Sequence, residues 1–187
     1  MPLIREAIVT TVDRAGKAHL APIGLIEDGE GWIIAPFLPS VTHDNLVATS
    51  VAVANYTDDA RIFAGLVTGR RDWPLVPSVK IAVPRLAQAL AHAELRVASV
   101  EEDARRPRFH CRISHKEQHA PFEGFNRAAN AVLECAILLT RLHILPRDKI
   151  EREIAYLSIA IEKTAGPRES EAWLWLMQKR DEFYAGK

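Results

Sequence analysis

The feature that most limits the fold of this chain is a change of hydrophobic period near residue 120. Up to about residue 118, short runs rich in β-branched residues alternate with turn-forming residues, which is typical of strands. From about residue 125, apolar residues recur every three to four positions, as in helices. We predict an α+β, mainly β chain, with a β-barrel at 1–122 and a three-helix annex packed on it at 123–187.

Tight turns join the first three predicted strands, which implies antiparallel pairing. Gly16, in the first turn, is expected to adopt a positive φ, and the second turn is the segment DGEG at 28–31. The third strand is predicted at 32–38, a fourth at 51–56 and a short helix at 58–68. The alanines of 85–103 favour a helix, but the alternation in its last part and in 108–115 indicates two further strands.

Three helices are predicted after residue 125. The first, 126–145, is nearly apolar all round and stops before Pro146. The second ends at Gly166 and Pro167, a standard stop signal, and a third follows. Each of the last two helices has an apolar face, formed by Ile150, Ile154, Leu157 and Ile161 and by Trp173, Leu176 and Phe183.

Composition excludes several classes of protein. The 187 residues are 48% hydrophobic, enough for a proper core, and 24 Lys and Arg balance 24 Asp and Glu. We therefore expect no nucleic-acid and no membrane partner, and a cytoplasmic location, because no apolar run resembles a membrane span or signal peptide. Cys111 and Cys135 lack a CxxC pattern and are interpreted as buried thiols. The densest basic stretch is interpreted as a solvated strand end and comprises Arg105, Arg106, Arg108 and Arg112.

Small polar residues cluster where the third strand is followed by a helix. Ser40, Thr42 and Asn45 have hydroxyl and amide groups at this junction, with His43 between them. One interpretation is a helix cap, in which Ser40 or Thr42 accepts a hydrogen bond from a backbone N–H. The other is an anion site, because free amides and hydroxyls at a helix N-terminus bind phosphate.

Two further strands contain unusual residues. Pro22 and Gly24 lie inside the second predicted strand, where both are usually costly. They indicate either an edge strand with a bulge or a flat backbone surface for a planar ring. Asn55 ends the buried fourth strand, and Asp58 and Asp59 after it are interpreted as turn or N-cap residues.

The remaining candidates are histidines and a helix start. His115 and His119 have a spacing that binds zinc on a helix, but in a strand they would lie roughly 12 Å or more apart, so no metal is predicted. Asn126 and Arg127 open an apolar helix, where an arginine opposes the helix dipole. Arg127 is expected either to pair with a nearby carboxylate or to bind a ligand. No catalytic acid, base or nucleophile is identified.

Four separated segments carry a resemblance to a known family: HLAPIGLI, PFLPSVTHDNL, VAVANYTDDARIF and FNRAANAVLECAILLTRLHIL. In this order they resemble domain of unknown function family 447, whose members resemble flavin-binding split-barrel proteins. The resemblance implies a flavin-reductase-like split β-barrel that binds FMN and forms a homodimer. It implies that the phosphate lies on Ser40, Thr42 and Asn45, and that the backbone of Ala21, Pro22 and Ile23 lies along the ring. It places Asn55 at the polar edge of the ring, and Asn126 and Arg127 near the flavin or a second ligand.

Two functions are consistent with this resemblance. One is a flavin-dependent oxidoreductase acting on a small molecule, with a link to methanopterin-type one-carbon metabolism. The other is a non-catalytic flavin-binding or assembly protein. The fold alone does not decide between them.

Overall fold

The computed structural model describes residues 2–186 of the chain. Two compact units are present, one formed by Met1–Thr57 with Trp73–Pro121 and the other by Asp58–Asp72 with Phe122–Lys187. The elements of the first unit are β1 (Ile4–Val12), β2 (Ala18–Asp28), β3 (Gly31–Ile34), α1 (Val41–Thr49), β4 (Val51–Tyr56), β5 (Leu75–Val76), β6 (Arg85–Leu86), β7 (Ala91–Glu101) and β8 (Arg108–Gln118). Those of the second are α2 (Ala60–Val67), α3 (Arg127–Leu139), α4 (Arg147–Thr164) and α5 (Pro167–Ala185).

Six strands of the first unit form a closed barrel in the order β1-β2-β3-β8-β7-β4, and every neighbouring pair is antiparallel. The predicted meander of β1, β2 and β3 is therefore confirmed. Gly16 has a φ of 81°, as expected for its turn. The β3 prediction was too long, because the strand ends at Ile34 and the chain then turns through a cis peptide bond before Pro39. The segment after α2 contains the short strand β5, which pairs with β6.

Small side chains fill the barrel interior. A barrel of six strands is narrow, and its core combines many alanines with a few larger residues. The cluster consists of Ala7, Val9, Leu25, Ile34, Leu46, Ala52, Ala54, Ala93, Leu95, Phe109 and Cys111. This packing explains why the later part of the alanine-rich segment 85–103 forms the strand β7 despite its helical propensity: Ala93 fits a core position at which a larger residue would not.

The barrel has an opening along one strand. The strand β2 pairs with β1 over its whole length, from Ala18 to Ile26 without a register break, whereas β3 pairs only with residues 26–28. Within residues 2–186, no strand pairs with the other side of β2 before Ile26. We call this part of β2 the half-paired segment.

In the described part of the chain, the second unit contains the three helices predicted after residue 125 and also α2, which lies where a short helix was predicted at 58–68. The apolar faces of α4 and α5 pack into its core as predicted, with Ile150 and Leu176 fully buried. Ala60 and Ala64 of α2 belong to the same core. The α3 prediction was too long, because the helix ends at Leu139 with Thr140 as its C-cap. The division of the chain at residues 122 and 123 stays a prediction.

Among residues 2–186, no helix combines the length and the apolar composition needed to cross a bilayer. Both cysteines are buried free thiols, as predicted.

Candidate flavin site

The junction between β3 and α1 begins with a capped helix. Ser40 is the N-cap of α1, and its hydroxyl oxygen accepts a hydrogen bond of 3.3 Å from the N–H of His43. The N–H of Asp44 donates to the Ser40 carbonyl oxygen at 3.2 Å. Within residues 2–186, the N–H groups of Val41 and Thr42 have no hydrogen-bond acceptor. The cap interpretation is thus satisfied by Ser40, and two helix-start donors remain for an anion.

Thr42 and Asn45 lie behind this helix start and are buried, with 2% and 4% of their surface exposed. The Asn45 amide nitrogen donates to the hydroxyl of Thr11 at 3.0 Å, which ties α1 to β1. Thr42 is not the cap, because it lies inside the first turn. Neither side chain therefore presents an open polar surface, and Asn45 fixes the position of the helix start through Thr11.

His43 and Asp44 determine the local charge. The His43 ring packs edge-on against Phe109, with 5.8 Å between ring centroids, and its Nδ1 lies 3.1 Å from the Asp44 carboxylate. Asp44 is exposed, and an acidic residue in the first turn opposes a second anion there. An anion at this site consequently needs a further positive group.

Arg106 is the cation that the β7–β8 turn brings to this junction. Its Nε donates to the carbonyl oxygen of Ala35 at 2.8 Å, and its guanidinium lies 4.8 Å from the centre of the Phe37 ring. The N–H of Leu38 donates to the carbonyl oxygen of Arg105 at 2.9 Å. The interpretation of this basic stretch as only a solvated strand end was therefore incomplete for Arg106, which is fixed to the residues before Ser40.

A local turn positions Arg106. The Asp103 carboxylate accepts hydrogen bonds from the N–H groups of Arg105 at 2.8 Å and Arg106 at 2.7 Å. These bonds lower the pKa of Asp103, so the carboxylate that holds the turn stays ionised at neutral pH. The sequence alone did not show that Arg106 lies at the junction of β3 and α1, because β3 and β8 become neighbours only in the folded barrel.

Ala21, Pro22 and Ile23 lie on the half-paired segment of β2, opposite Val9, Ile8 and Ala7 of β1. All three are half-buried. The edge-strand interpretation of Pro22 holds, and the register shows no bulge. A glycine at position 24 is explained by packing, because a Cβ there would lie 2.8 Å from the Ile4 side chain.

The strand β1 connects the two parts of the candidate site. Thr11 of β1 holds Asn45 of α1, and Val9, two residues earlier, pairs with Ala21 of β2. Two residues of a strand span roughly 6–7 Å, so the helix start and the β2 edge are neighbours. The structure thus brings together Ser40, Thr42, Asn45, Ala21, Pro22 and Ile23.

Asn55 has a structural role in the same unit. It is fully buried, and its amide nitrogen donates to the Ile8 carbonyl oxygen at 2.8 Å and to the Thr10 hydroxyl at 3.0 Å. Its amide oxygen accepts from the N–H of Leu86 at 2.8 Å. Because both amide donors and the oxygen are occupied, we leave Asn55 out of the flavin site proposed below.

Asn126 and Arg127 lie in the helical unit. Asn126 is the N-cap of α3, where its amide oxygen accepts from the N–H groups of Ala128 and Ala129 and its nitrogen donates to the Thr164 carbonyl oxygen. Arg127 is exposed and forms no ion pair with a carboxylate in the described part of the chain. Of the two expectations for Arg127, ligand binding stays open.

A second polar cluster lies where β7 and β8 pair. Its members are His92, Glu94, His115, Glu117 and His119, which form two groups that share His92. His115 and His119 fall in different groups, and the residue that links them, His92, was not identified from the sequence. The available signal was a repeated H-x-E pattern, at residues 92–94 and 115–117, on two strands that pair.

Comparisons with known proteins identify the fold. The structure superposes with a TM-score of 0.81 on an FMN-bound protein from Methanosarcina mazei, at 20% identity over 96% of each chain. For the 2-nitrobenzoate 2-nitroreductase of Pseudomonas fluorescens the TM-score is 0.54, at 19% identity over 64% of this chain and 66% of that one. For the flavin reductase component of a bacterial two-component tryptophan halogenase the TM-score is 0.53, at 13% identity over 64% of this chain and 83% of that one.

These likenesses confirm the predicted split-barrel fold. A comparison with curated proteins gave no match. A family model described as "Protein of unknown function (DUF447) N-terminal domain" matches residues 5–120, and a second DUF447 model matches residues 126–178. Together they span most of the sequence and confirm the resemblance noted above. The chain therefore belongs to the DUF447 family.

Proposed function

We propose that this chain binds FMN and acts as a flavin-dependent oxidoreductase on a small molecule. The observation that carries the proposal is the pair of unpartnered N–H groups, of Val41 and Thr42, at a helix start tied to the open edge of β2. The fold is shared with the FMN-bound protein of the same family, which supports the choice of cofactor. The donor set fits a phosphate monoester: two backbone N–H groups, the Ser40 hydroxyl and a nearby guanidinium.

In this proposal each residue has a defined task. The N–H groups of Val41 and Thr42 and the Ser40 hydroxyl bind the phosphate, and Arg106 offsets its charge together with that of Asp44. Buried Asn45 fixes the helix start through Thr11. The edge at Ala21, Pro22 and Ile23 lies along the ring. When bound, FMN supplies the redox chemistry, while the protein orients it and shields it from water.

The test compares FMN with riboflavin, which has the same ring but no phosphate. Flavin-free protein is titrated with each ligand by fluorescence quenching, and flavin released from the purified protein is identified by mass. We expect FMN to bind far more tightly than riboflavin. Arg106→Gln should weaken FMN binding about tenfold, because one partly exposed charged contact is lost, and leave riboflavin binding unchanged.

Arg112→Gln is the matched control, because Arg112 is an exposed arginine of the neighbouring strand β8. It should leave both affinities unchanged. Equal affinity for FMN and riboflavin in the unaltered protein would show that the helix start is only capped and that no phosphate binds there. Equal losses for both ligands in Arg106→Gln would assign Arg106 to another role.

Turnover is tested separately on the FMN-loaded protein. Bleaching of the flavin absorbance by a reduced nicotinamide, or its reoxidation by a pterin, would support an oxidoreductase and the proposed methanopterin link. Arg127→Gln is expected to raise the KM for an anionic substrate without changing FMN affinity, because Arg127 is exposed and free of carboxylates within residues 2–186. No redox change with any nicotinamide or pterin would count against the enzyme.

A homodimer is part of the proposal. Several apolar side chains near the helix start are exposed, including Phe37 at 67%, Val41 at 51% and Val47 at 63%. Burying them against a second copy would remove apolar surface from water. Light scattering after size exclusion measures the mass directly, and a monomer at micromolar concentration would contradict the dimer.

The alternative function is a non-catalytic flavin-binding or assembly protein. Exposed Tyr156, Ile159 and Leu174 of the helical unit, at 75%, 42% and 67%, favour it because such side chains suit docking to another protein. A stable complex isolated from cells, lost in Tyr156→Ser with Leu174→Ser but kept in Arg127→Gln, would support this function over catalysis.

A further inference from the structure

The paired strands β7 and β8 place four metal-ligating side chains in one square. His92 lies opposite Glu117 and Glu94 lies opposite His115 in the antiparallel register. Directly opposite residues have Cβ atoms roughly 4.5–5.5 Å apart, and residues two apart on a strand share a face. The two H-x-E segments therefore bring histidine and glutamate side chains together in alternation. The register shifts just after Glu94, which is a bulge of the kind that re-aims side chains.

The inner half of this square is deeply buried. His92 and Glu94 are both fully buried, and His115 is partly buried. Glu94 accepts hydrogen bonds from the backbone N–H groups of Val79 at 2.6 Å and Lys80 at 2.7 Å. The Glu94 carboxylate is thus held in place beside two imidazoles by the segment that contains residues 79 and 80.

The spacing in this group suits a metal better than a hydrogen bond. His92 Nε2 lies 3.4 Å from Glu94 Oε1, longer than a good N–H···O bond of about 2.7–3.2 Å. Two ligands of a tetrahedral zinc ion, each about 2.05 Å from the metal, are about 3.3 Å apart. Ligand atoms of His92, Glu94 and His115 all lie within 4.8 Å of one another, and the rings of His92 and His115 have centroids 5.8 Å apart.

His115 contributes a polar atom without a partner. Its Nε2 is buried and has no hydrogen bond within residues 2–186, since the Glu117 carboxylate is 3.6 Å away. A buried imidazole nitrogen without a partner costs free energy unless something binds it. A metal ion between His115 and the His92–Glu94 pair would satisfy this nitrogen.

His119 lies outside this group of three residues and supports it through a contact with His92. The Nε2 atom of His119 lies 2.9 Å from Nδ1 of His92. His92 can therefore donate its Nδ1–H to His119, while the Nε2 atom of His92 faces Glu94. Metal-bound histidines usually donate their second ring N–H in this way.

We propose that His92, Glu94 and His115 bind a divalent transition-metal ion of the zinc class. Two imidazole nitrogens and a carboxylate oxygen, all within 4.8 Å of one another, favour zinc over magnesium or calcium, which prefer six or more oxygen ligands. Because Glu94 also holds Val79 and Lys80, the ion fixes the segment at 79–80 to the outside of the barrel. This site shares no residue with the proposed flavin site.

The test uses the full-length protein, stripped with a chelator and reloaded with zinc or cobalt(II). We expect one zinc ion per chain by elemental mass spectrometry, and the intense visible bands of tetrahedral cobalt in a difference spectrum. Hydrogen exchange of the N–H groups of Val79 and Lys80 should slow when zinc is added. His115→Gln should weaken zinc binding by more than about 100-fold and His119→Gln by about 10–100-fold.

His110→Gln is the matched control, because His110 lies on the same strand β8 but pairs with Asp28 at 2.8 Å. It should bind zinc as the unaltered protein does. Since His115 is partly exposed, His115→Gln is expected to fold, which a thermal unfolding curve in chelator checks. Absence of stoichiometric zinc and cobalt binding would overturn the proposal, and so would equal affinity in His115→Gln and His110→Gln.

Discussion

Replacing Glu94 with glutamine is expected to destabilise the metal-free protein by about 2–3 kcal/mol. The carboxylate accepts one hydrogen bond on each oxygen, from Val79 at 2.6 Å and Lys80 at 2.7 Å. Glutamine keeps one acceptor oxygen and presents an NH2 group to the other N–H. One partly buried N–H then loses its partner, at about 1–3 kcal/mol, and the remaining bond loses its charge, at about 1 kcal/mol. Removing a buried charge offsets part of this loss.

The effect has a definite pH dependence. Burial raises the pKa of Glu94, but the backbone bonds from Val79 and Lys80, with the nearby imidazoles of His92 and His115, lower it by more, so the pKa in the folded protein lies below its ordinary value. Ionised Glu94 therefore stabilises the fold fully above the pKa of an unfolded glutamate, about 4.3. This stabilisation disappears as the pH falls from there through the lower folded-state pKa. The difference between the unaltered protein and Glu94→Gln should thus be constant near neutral pH and shrink below about pH 4.

Urea unfolding followed by circular dichroism, in chelator and at several pH values, measures this difference. Glu117→Gln is the control, because Glu117 lies across from His92 with 47% of its side chain exposed. Its substitution should change the free energy of unfolding by less than about 0.5 kcal/mol. The reasoning is refuted if Glu94→Gln is as stable as this control at pH 7, or if its deficit grows as the solution is acidified.

Three further predictions concern the barrel unit and the buried thiols. Gly31→Ala should lower the free energy of unfolding by about 1–3 kcal/mol, because a Cβ there would overlap the carbonyl oxygen of Cys111; a urea midpoint equal to that of the unaltered protein would contradict this. Burial raises the pKa of Cys111 and Cys135 to about 12, so a thiol reagent at pH 8 should modify them only after denaturation; rapid labelling of the folded protein would show that one is accessible. Asn55→Leu should cost about 2–4 kcal/mol, since the N–H of Leu86 loses its acceptor, while the FMN affinity of the variant that remains folded stays unchanged; a selective loss of FMN would restore Asn55 to the flavin site.

Local patterns predicted most elements of the fold. The turn at Gly16, the strands on either side of it and the apolar faces of α4 and α5 depend on nearby residues, and they appear as expected. The cap at Asp59 was also among the expected alternatives: its carboxylate accepts from the N–H of Arg61 at 3.1 Å. Errors of length arose where tertiary contacts decide, as at the end of β3 and of α3.

Residues that meet only through strand pairing could not be read from the sequence. Arg106 is distant in sequence from Ala35, and only the β3–β8 pairing explains their contact. His92 faces Glu117 only through the register of the β7–β8 pair, which joins residues 25 positions apart in the sequence. Asn55, an amide at the end of a strand, was expected at the flavin ring; its side chain forms hydrogen bonds inside the fold, and a contact with flavin stays a prediction. Burial and register, rather than residue type, decided these cases.

The helix α2 has a consequence for how the chain folds during synthesis. It leaves the ribosome between β4 and β5, yet Ala60 and Ala64 pack into a core completed by α3, α4 and α5 at the C-terminus. Until those helices are made, the apolar face of α2 has no partner to pack on. The barrel strands before and after α2 in the sequence can by then pair with one another. A chain cut after residue 121 would carry that face without a cover and would be prone to aggregate. The C-terminal helices therefore complete their own core and also cover the apolar face of α2, which lies in the N-terminal half of the sequence.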